Sequence, residues 1–213
     1  MSRRHFLLLD VDNTLYSRSC GVVDRVDERI NRYLVERVGI AADEVDCIRL
    51  RLWSQFGTTL HGLQRQANVD PADYSRYVHD IDHAALLSAR PELGAMLARI
   101  PLNKVAVTNG PHRHASAVLE CLGVRDLFLG VFGLERLHYL PKPYVHAYQT
   151  VLAQLHTSGH DCILVEDTVG NLHAARQLGM QTVYVSDGGP PADAADASIS
   201  SILELEAALD ALA

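Results

Sequence analysis

The sequence predicts an α/β fold in three layers, a parallel sheet with helices on both faces, carrying an all-helical insert after the first strand. Three observations lead there. Short apolar runs at residues 6–9, 105–108, 131–132, 162–165 and 182–185 alternate with helical patterns over the second half of the chain, which is the signature of βαβ units. The first run, Phe6-Leu7-Leu8-Leu9, is apolar without interruption, as a strand covered on both faces must be. Between that run and about residue 90, helical spacing replaces strand patterns.

After a polar connection at residues 16–21, Val26, Ile30, Tyr33 and Leu34 keep helical spacing, and Val45, Ile48, Leu52 and Phe56 do so behind Asp43, expected as the N-cap. Asp70-Pro71 opens another helix, a capping side chain followed by proline at the first position, with Tyr74, Tyr77, Val78 and Ile81 as its apolar face. The expected domains are a core of residues 1–15 and 91–213 and a small helical cap of residues 16–90. Pro91 opens a core helix bearing Leu93, Met96 and Leu97. Further helices run through Val118 and Leu122 to a stop at Gly123, follow Pro143, and reach Leu178 before Gly179. Residues 186–193 form a turn-rich loop, and residues 202–212 a closing amphipathic helix.

With 213 residues, 48% of them hydrophobic, the chain can bury one substantial core. A net charge of -7 and the lack of any block of like charges argue against a nucleic-acid polymer as partner. Cys20, Cys47, Cys121 and Cys162 form no C-x-x-C pair, so neither a zinc site nor a disulfide framework is expected, and a reducing, cytoplasmic location is. The N-terminal residues lack the apolar run and cleavage site expected of a signal peptide. No apolar stretch approaches the roughly 20 residues that span a bilayer, so no membrane partner is expected.

Asp10 and Asp12 follow the first apolar run. Carboxylates buried side by side share a cation, accept backbone N–H bonds or hold a proton, unless the loop begins at Asp10 and both are solvated. A hard cation such as Mg2+ takes oxygen ligands and offsets the repulsion. Thr108-Asn109-Gly110 ends the next strand ahead of Pro111. There a hydroxyl and free N–H groups at a helix start bind an anion, or Thr108 merely caps the helix. Lys142, one of only two lysines, lies between prolines that restrict its backbone, either at a site or in a rigid surface turn. Glu166-Asp167 ends the 162–165 run and either completes an oxygen-rich metal site or supplies Asp167 as an N-cap. In an open parallel sheet, sites form at the C-terminal strand ends, where these groups fall.

Together, Asp10-Val11-Asp12-Asn13-Thr14-Leu15-Tyr16, Thr108-Asn109-Gly110, Lys142-Pro143 and Glu166-Asp167-Thr168-Val169-Gly170-Asn171 resemble, in family order, the four signature motifs of the haloacid dehalogenase-like (HAD) hydrolases, over residues 6–185. The resemblance implies a Rossmann-like core, Mg2+ as cofactor and phosphoryl chemistry. Asp10 would attack phosphorus to give an aspartyl phosphate, and Asp12 would protonate the leaving group and then activate water. Thr108 and Asn109 would hold the phosphoryl group, with Lys142 neutralising its charge. Asp10, Asp12 through its backbone carbonyl, Glu166 and Asp167 would hold the metal, and Asn171 would organise the loop. The presence of both Asp10 and Asp12 favours phosphoryl transfer over the family's dehalogenases, whose sites lack the metal and the second aspartate.

Residues 12–17 and Phe56-Gly57-Thr58-Thr59-Leu60-His61-Gly62-Leu63 resemble the pyrimidine 5'-nucleotidase group of bacteria, fungi and plants. Gly57, Thr58 and Thr59, with Arg51, Gln55 and His61, are the candidate substrate contacts; alternatively this stretch is a helix break with Thr58 as its cap. His112 and His114, two apart on a helix, cannot face one ligand and read as solvated surface. The remaining histidines are given no role. The expected function is a Mg2+-dependent phosphatase acting on pyrimidine nucleoside monophosphates. The alternatives are a phosphatase for phosphoglycolate, a sugar phosphate or pyridoxal phosphate, a phosphomutase, or a non-catalytic phosphate-binding protein. In each case the partner is a small phosphomonoester.

Overall fold

A computed structural model describes residues 5–212; residues 1–4 and 213, part of the expected core range, lie outside the described residues. Strand β1 (Phe6–Leu9) sits inside a sheet of order β3-β2-β1-β4-β5-β6. Its neighbours are β2 (Asn103–Val107) and β4 (Cys162–Glu166), with β3 (Phe128–Phe132) beyond β2, and β5 (Gln181–Val185) and β6 (Ala197–Ile199) beyond β4. Every pairing is parallel. Strands 1 to 3 build outward on one side and strand 4 returns to the other, so the order reverses at β1, where open α/β sheets leave a crevice.

The strand sequences are apolar at nearly every position because both sheet faces are covered. Leu7 and Leu9 enter one core layer with Ala106, Val131 and Val165, while Leu8 enters the other with Val105, Val107 and Leu164. Helices α5 (Pro91–Arg99), α6 (His112–Cys121) and α9 (Leu205–Leu212) pack on the first layer. Helices α7 (Val145–Leu155) and α8 (Val169–Arg176) pack on the second.

Between β1 and α5 the described chain forms α1 (Val22–Tyr33), which continues as π-helix to Val38, then α2 (Val45–Phe56), α3 (Thr59–Gln66) and α4 (Pro71–Val78). Their apolar faces make a third cluster around Tyr33, Leu52, Leu60, Leu63, Tyr74 and Val78, joined by Leu134 from beyond β3. Where the chain leaves and rejoins the sheet, Arg90 Nη1 donates to the Leu15 carbonyl at 3.1 Å and holds the two connections together.

The expected elements recur with local differences. Asp70 caps α4 through the Ala72 N–H as expected, but Asp43 does not cap α2, whose first flanking position is Glu44 with no side-chain bond. Strand β6 was not expected, being three residues behind a turn-rich loop with too short a pattern to register. The closing helix is split into a 3-10 turn (Ile202–Glu204) and α9.

One backbone approach fixes the turn after β2. Leu134 N–H donates to the Gly110 carbonyl at 2.9 Å, and a Cβ on Gly133 would lie 2.3 Å from the His112 nitrogen. The segment after β3 therefore rests directly on residues 108–112, with room only for glycine. Gly133→Ala is expected to destabilise the protein by about 1–3 kcal/mol, as overpacked sites do, measured as a lowered denaturation midpoint; an unchanged midpoint would mean that the two turns separate freely.

Candidate active site

The strand ends bring Asp10, Thr108, Lys142 and Glu166 together, each at most 6% exposed. Asp10 extends β1, its N–H donating to the Val165 carbonyl at 3.0 Å. Its Oδ1 accepts from Lys142 Nζ at 2.7 Å and its Oδ2 from the Thr14 hydroxyl at 3.1 Å. An ammonium has three donors, and Lys142 uses all of them, on Asp10 Oδ1, on Glu166 Oε2 at 2.7 Å and on the Val107 carbonyl at 2.9 Å. Asn109 clamps the lysine's backbone from both sides, accepting from its N–H at 2.8 Å and donating to its carbonyl at 3.0 Å. Glu166 Oε1 accepts the N–H groups of Asp167 and Thr168, each at 3.1 Å. Lys142 is therefore no surface lysine, and Glu166 has both oxygens engaged.

Burial pushes the Asp10 carboxyl up to about 7, with the Glu166 charge adding to it and Lys142 opposing. Burial likewise brings Glu166 up to about 7 against the pull of Lys142. Burial and the Asp10 charge also raise Asp167. For Lys142, burial alone would favour the neutral amine, but Asp10 and Glu166 hold it well above the usual lysine range. Three carboxylates thus face one ammonium.

Ligand oxygens of Asp10, Glu166 and Asp167 lie within 4.8 Å of one another. Hard oxygen donors carrying surplus negative charge suit a cation such as Mg2+. All three already accept bonds, Asp10 from Lys142 and Thr14, Glu166 from Lys142 and two loop N–H groups, and Asp167 from Thr168, so a cation would draw on their remaining lone pairs. The Asp12 carboxylate is not in this group and points elsewhere.

Thr108 does not cap α6. The cap position is Pro111, with no side-chain bond, while Thr108 Oγ1 accepts from the Gly110 N–H at 2.9 Å. Asp167 is not an N-cap either, since Thr168 occupies that position.

Asp12 corrects one expectation. Its Oδ1 accepts from the Tyr16 hydroxyl and pairs with His114 Nε2 at 2.8 Å. His114 is only 1% exposed, not solvated surface. His112 is exposed as expected. Two residues apart on a helix, the pair faces nearly opposite ways, and His114 continues the buried stripe of Ala115, Val118 and Leu119. That stripe was the available signal. His83 Nε2 meets His114 Nδ1 at 2.8 Å, and the His79 ring packs 4.8 Å from that of His114. His79, the C-cap of α4, and His83, in the non-helical segment that follows, were given no role from sequence. Burial would raise the Asp12 carboxyl, but the charge and hydrogen bond of His114, with Tyr16 and His79, hold it below the usual range.

A cavity of about 250 Å3 opens onto these groups. From the helical insert Gly57 and Thr58 line it as expected, joined by Val23, Val26, Trp53 and His79. Thr58 is also the N-cap of α3, accepting from the His61 N–H at 3.1 Å, as the alternative reading of that stretch had it. A Cβ on Gly57 would come within 3.3 Å of the Lys142 carbonyl. The other candidates are not among the lining residues. Arg51 and Gln55 are exposed, Thr59 is buried within the insert, and His61 packs against Phe56 and Tyr144. Asn171 lines the cavity from α8.

A family model for haloacid dehalogenase-like hydrolases matches residues 6–179. "Phosphate metabolism protein 8" of Saccharomyces cerevisiae is 23% identical over 195 residues, covering 83% of this chain and 60% of that protein. The sesquiterpene phosphatase astK of Aspergillus oryzae is 37% identical over 62 residues, covering 29% of this chain and 31% of that protein. The chain thus spans less than two thirds of the length of these curated relatives. The solved structure of the HAD-hydrolase YfnB from Bacillus subtilis, bound to magnesium, superposes with a TM-score of 0.65 at 17% identity, over 98% of this chain and 100% of that one, a likeness of fold.

The raised carboxyls give a sign to the pH dependence. Asp10 and Glu166 titrate near 7 when folded but near 4 in an unfolded chain. Between those values the folded state holds more protons, so metal-free stability falls as pH rises through the window. In EDTA the melting temperature is expected to decline from about pH 5 to about pH 8, and Mg2+ to raise it more at the upper value, where protons no longer compete. Melting curves indifferent to Mg2+ throughout would contradict a cation site here.

Proposed function

Because the chain belongs to the haloacid dehalogenase-like hydrolases, we propose that it is a Mg2+-dependent phosphomonoesterase working through a phosphorylated Asp10, with pyrimidine nucleoside monophosphates as substrates. The observation that carries this reading is the buried Asp10 carboxylate, held by Lys142 beside Asp167, with a second aspartate, Asp12, on the same cavity.

Asp10 attacks phosphorus as the bond to the ester oxygen breaks, and Asp12 delivers a proton to that oxygen. Asp12 is ionised in the free protein and takes up its proton from solvent as the substrate arrives, because the negative charge of the phosphoryl group raises its proton affinity. In the second half, Asp12 takes a proton from the water that attacks the aspartyl phosphate, and Asp10 is regenerated. The Thr108 hydroxyl is free to donate to a phosphoryl oxygen, while Lys142, its three N–H groups already engaged, holds Asp10 and offsets the developing charge as a fixed positive centre. Mg2+, held by Asp10 and Asp167, would supply further neutralisation of phosphoryl charge.

What supports a nucleoside leaving group is the insert's side of the cavity. Trp53 is 55% exposed although it lines the cavity, and a flat ring left open there offers a stacking surface for a planar heterocycle. Val23 and Val26 add apolar surface. Burial brings the His79 imidazole down to about 3, and its Nδ1 lies 3.1 Å from the Ser75 carbonyl, so the proton sits on Nδ1 and Nε2 is an acceptor. The cavity, of about 250 Å3, lies just below the usual size of small-molecule sites and suits a small ligand.

Purified protein with Mg2+ is expected to release phosphate from UMP, CMP and dUMP in preference to AMP, GMP, phosphoglycolate, sugar phosphates and pyridoxal phosphate. Asp10→Asn is expected to abolish release. Trp53→Ala is expected to raise KM for the pyrimidine nucleotides about tenfold, the worth of one stacked base, with kcat little changed. Preference for another ester would retain the chemistry and overturn the nucleotide assignment. Release that survives Asp10→Asn would overturn both.

A further inference from the structure

Asp12 presents its two oxygens unequally. Oδ1 receives the Tyr16 hydroxyl and His114 Nε2 together. No hydrogen bond within the described residues reaches Oδ2, which lies 3.7 Å from where a Cβ on Gly110 would stand, over the turn that carries Thr108. Two donors converging on one oxygen fix the carboxylate's rotation, and the free oxygen faces the phosphoryl turn. A carboxylate at this site only accepts, so the proton between the two residues sits on His114 Nε2. The imidazole has no freedom of its own: its other nitrogen meets His83 Nε2 at 2.8 Å, the His79 ring packs beside it, and Ala115 and Val118 of the same helix are sealed in the core. His83 comes from the segment that follows α4, so the brace crosses from the insert's side of the molecule to the core helix α6.

We propose that His114, braced by His83, is a positioning residue that holds Asp12 by Oδ1 so that Oδ2 is aimed at the leaving-group oxygen. The inference rests on the phosphatase reading above and assigns His114 no contact with substrate. Its role is to keep the acid in line during the one step in which the ester bond breaks. A displaced acid matters little when the leaving group departs readily as an anion, and greatly when it needs a proton to leave. His114 therefore governs how steeply the rate depends on leaving-group basicity, which a purely structural residue does not.

The test is kcat/KM for a series of aryl and alkyl phosphates with Mg2+, plotted against the pKa of the leaving alcohol. This parameter stops at departure of the alcohol, so hydrolysis of the aspartyl phosphate does not enter. His114→Leu keeps the bulk and removes the donor. It is expected to steepen the dependence, so that alkyl esters lose about 100-fold more than p-nitrophenyl phosphate, the lower range of a general acid's contribution. His114→Gln, whose amide still donates to Oδ1, is expected to return the slope toward that of the parent. His83→Leu removes the brace alone and is expected to steepen the slope to a smaller extent, which keeps the test available if His114→Leu folds poorly. Parallel losses on all esters, or slopes unchanged in both leucine variants, would overturn the inference while leaving the phosphatase reading intact. A parent protein without Asp10-dependent release from any ester would instead overturn the reading beneath it.

Discussion

The arrangement of the site depends on one buried ammonium. Lys142 is removed from water with two carboxylates and a backbone carbonyl as its partners, and a buried charge persists only when its hydrogen-bonding capacity is filled. Each partner comes from a different strand end: Asp10 from β1, Val107 from β2, Glu166 from β4. The lysine therefore fastens three neighbouring strands at their C-terminal edge. Asn109 holds the lysine's backbone in turn, so the turn after β2 and the loop before α7 are positioned by the same contact.

Surplus negative charge is the other half of that constraint. One ammonium cannot neutralise Asp10, Glu166 and Asp167 at once, and burial raises all three carboxyls. The deficit creates affinity for a cation and for protons in the same place. Asp12, two residues from Asp10, is held in the opposite sense by His114 and Tyr16. For the roles proposed, these shifts run the opposite way, a raised Asp10 and a lowered Asp12, so the nucleophile needs the cation to keep it ionised and the acid needs the substrate's negative charge to gain its proton.

The sheet was legible because buried parallel strands admit little but apolar residues: 6–9 and 162–165 could be read directly, and the alternation of strands with helices implied the layers. Asp10, Thr108 and Glu166-Asp167 were legible for the converse reason, as polar groups ending apolar runs, and Lys142 by the prolines on either side of it. The short strand β6 left no pattern to read. The histidine brace escaped because it is a tertiary feature. His114 was judged by its relation to His112 instead of to Val118, and nothing local announces that residues 79 and 83 meet residue 114. On the insert, Gly57 and Thr58 line the cavity as their motif implied, whereas Trp53, which lines it from α2, belonged to no motif. Arg51 and His61, chemically apt as substrate contacts, are turned to solvent or to neighbouring rings.

The most direct measurement is acid quenching of the protein during turnover of a phosphomonoester with Mg2+, followed by mass spectrometry of the peptide that contains Asp10. The account predicts the added mass of one phosphoryl group on Asp10, absent without substrate and absent in Asp10→Asn. Sustained phosphate release with Asp10 never modified, or with the phosphoryl group on another residue, would contradict it.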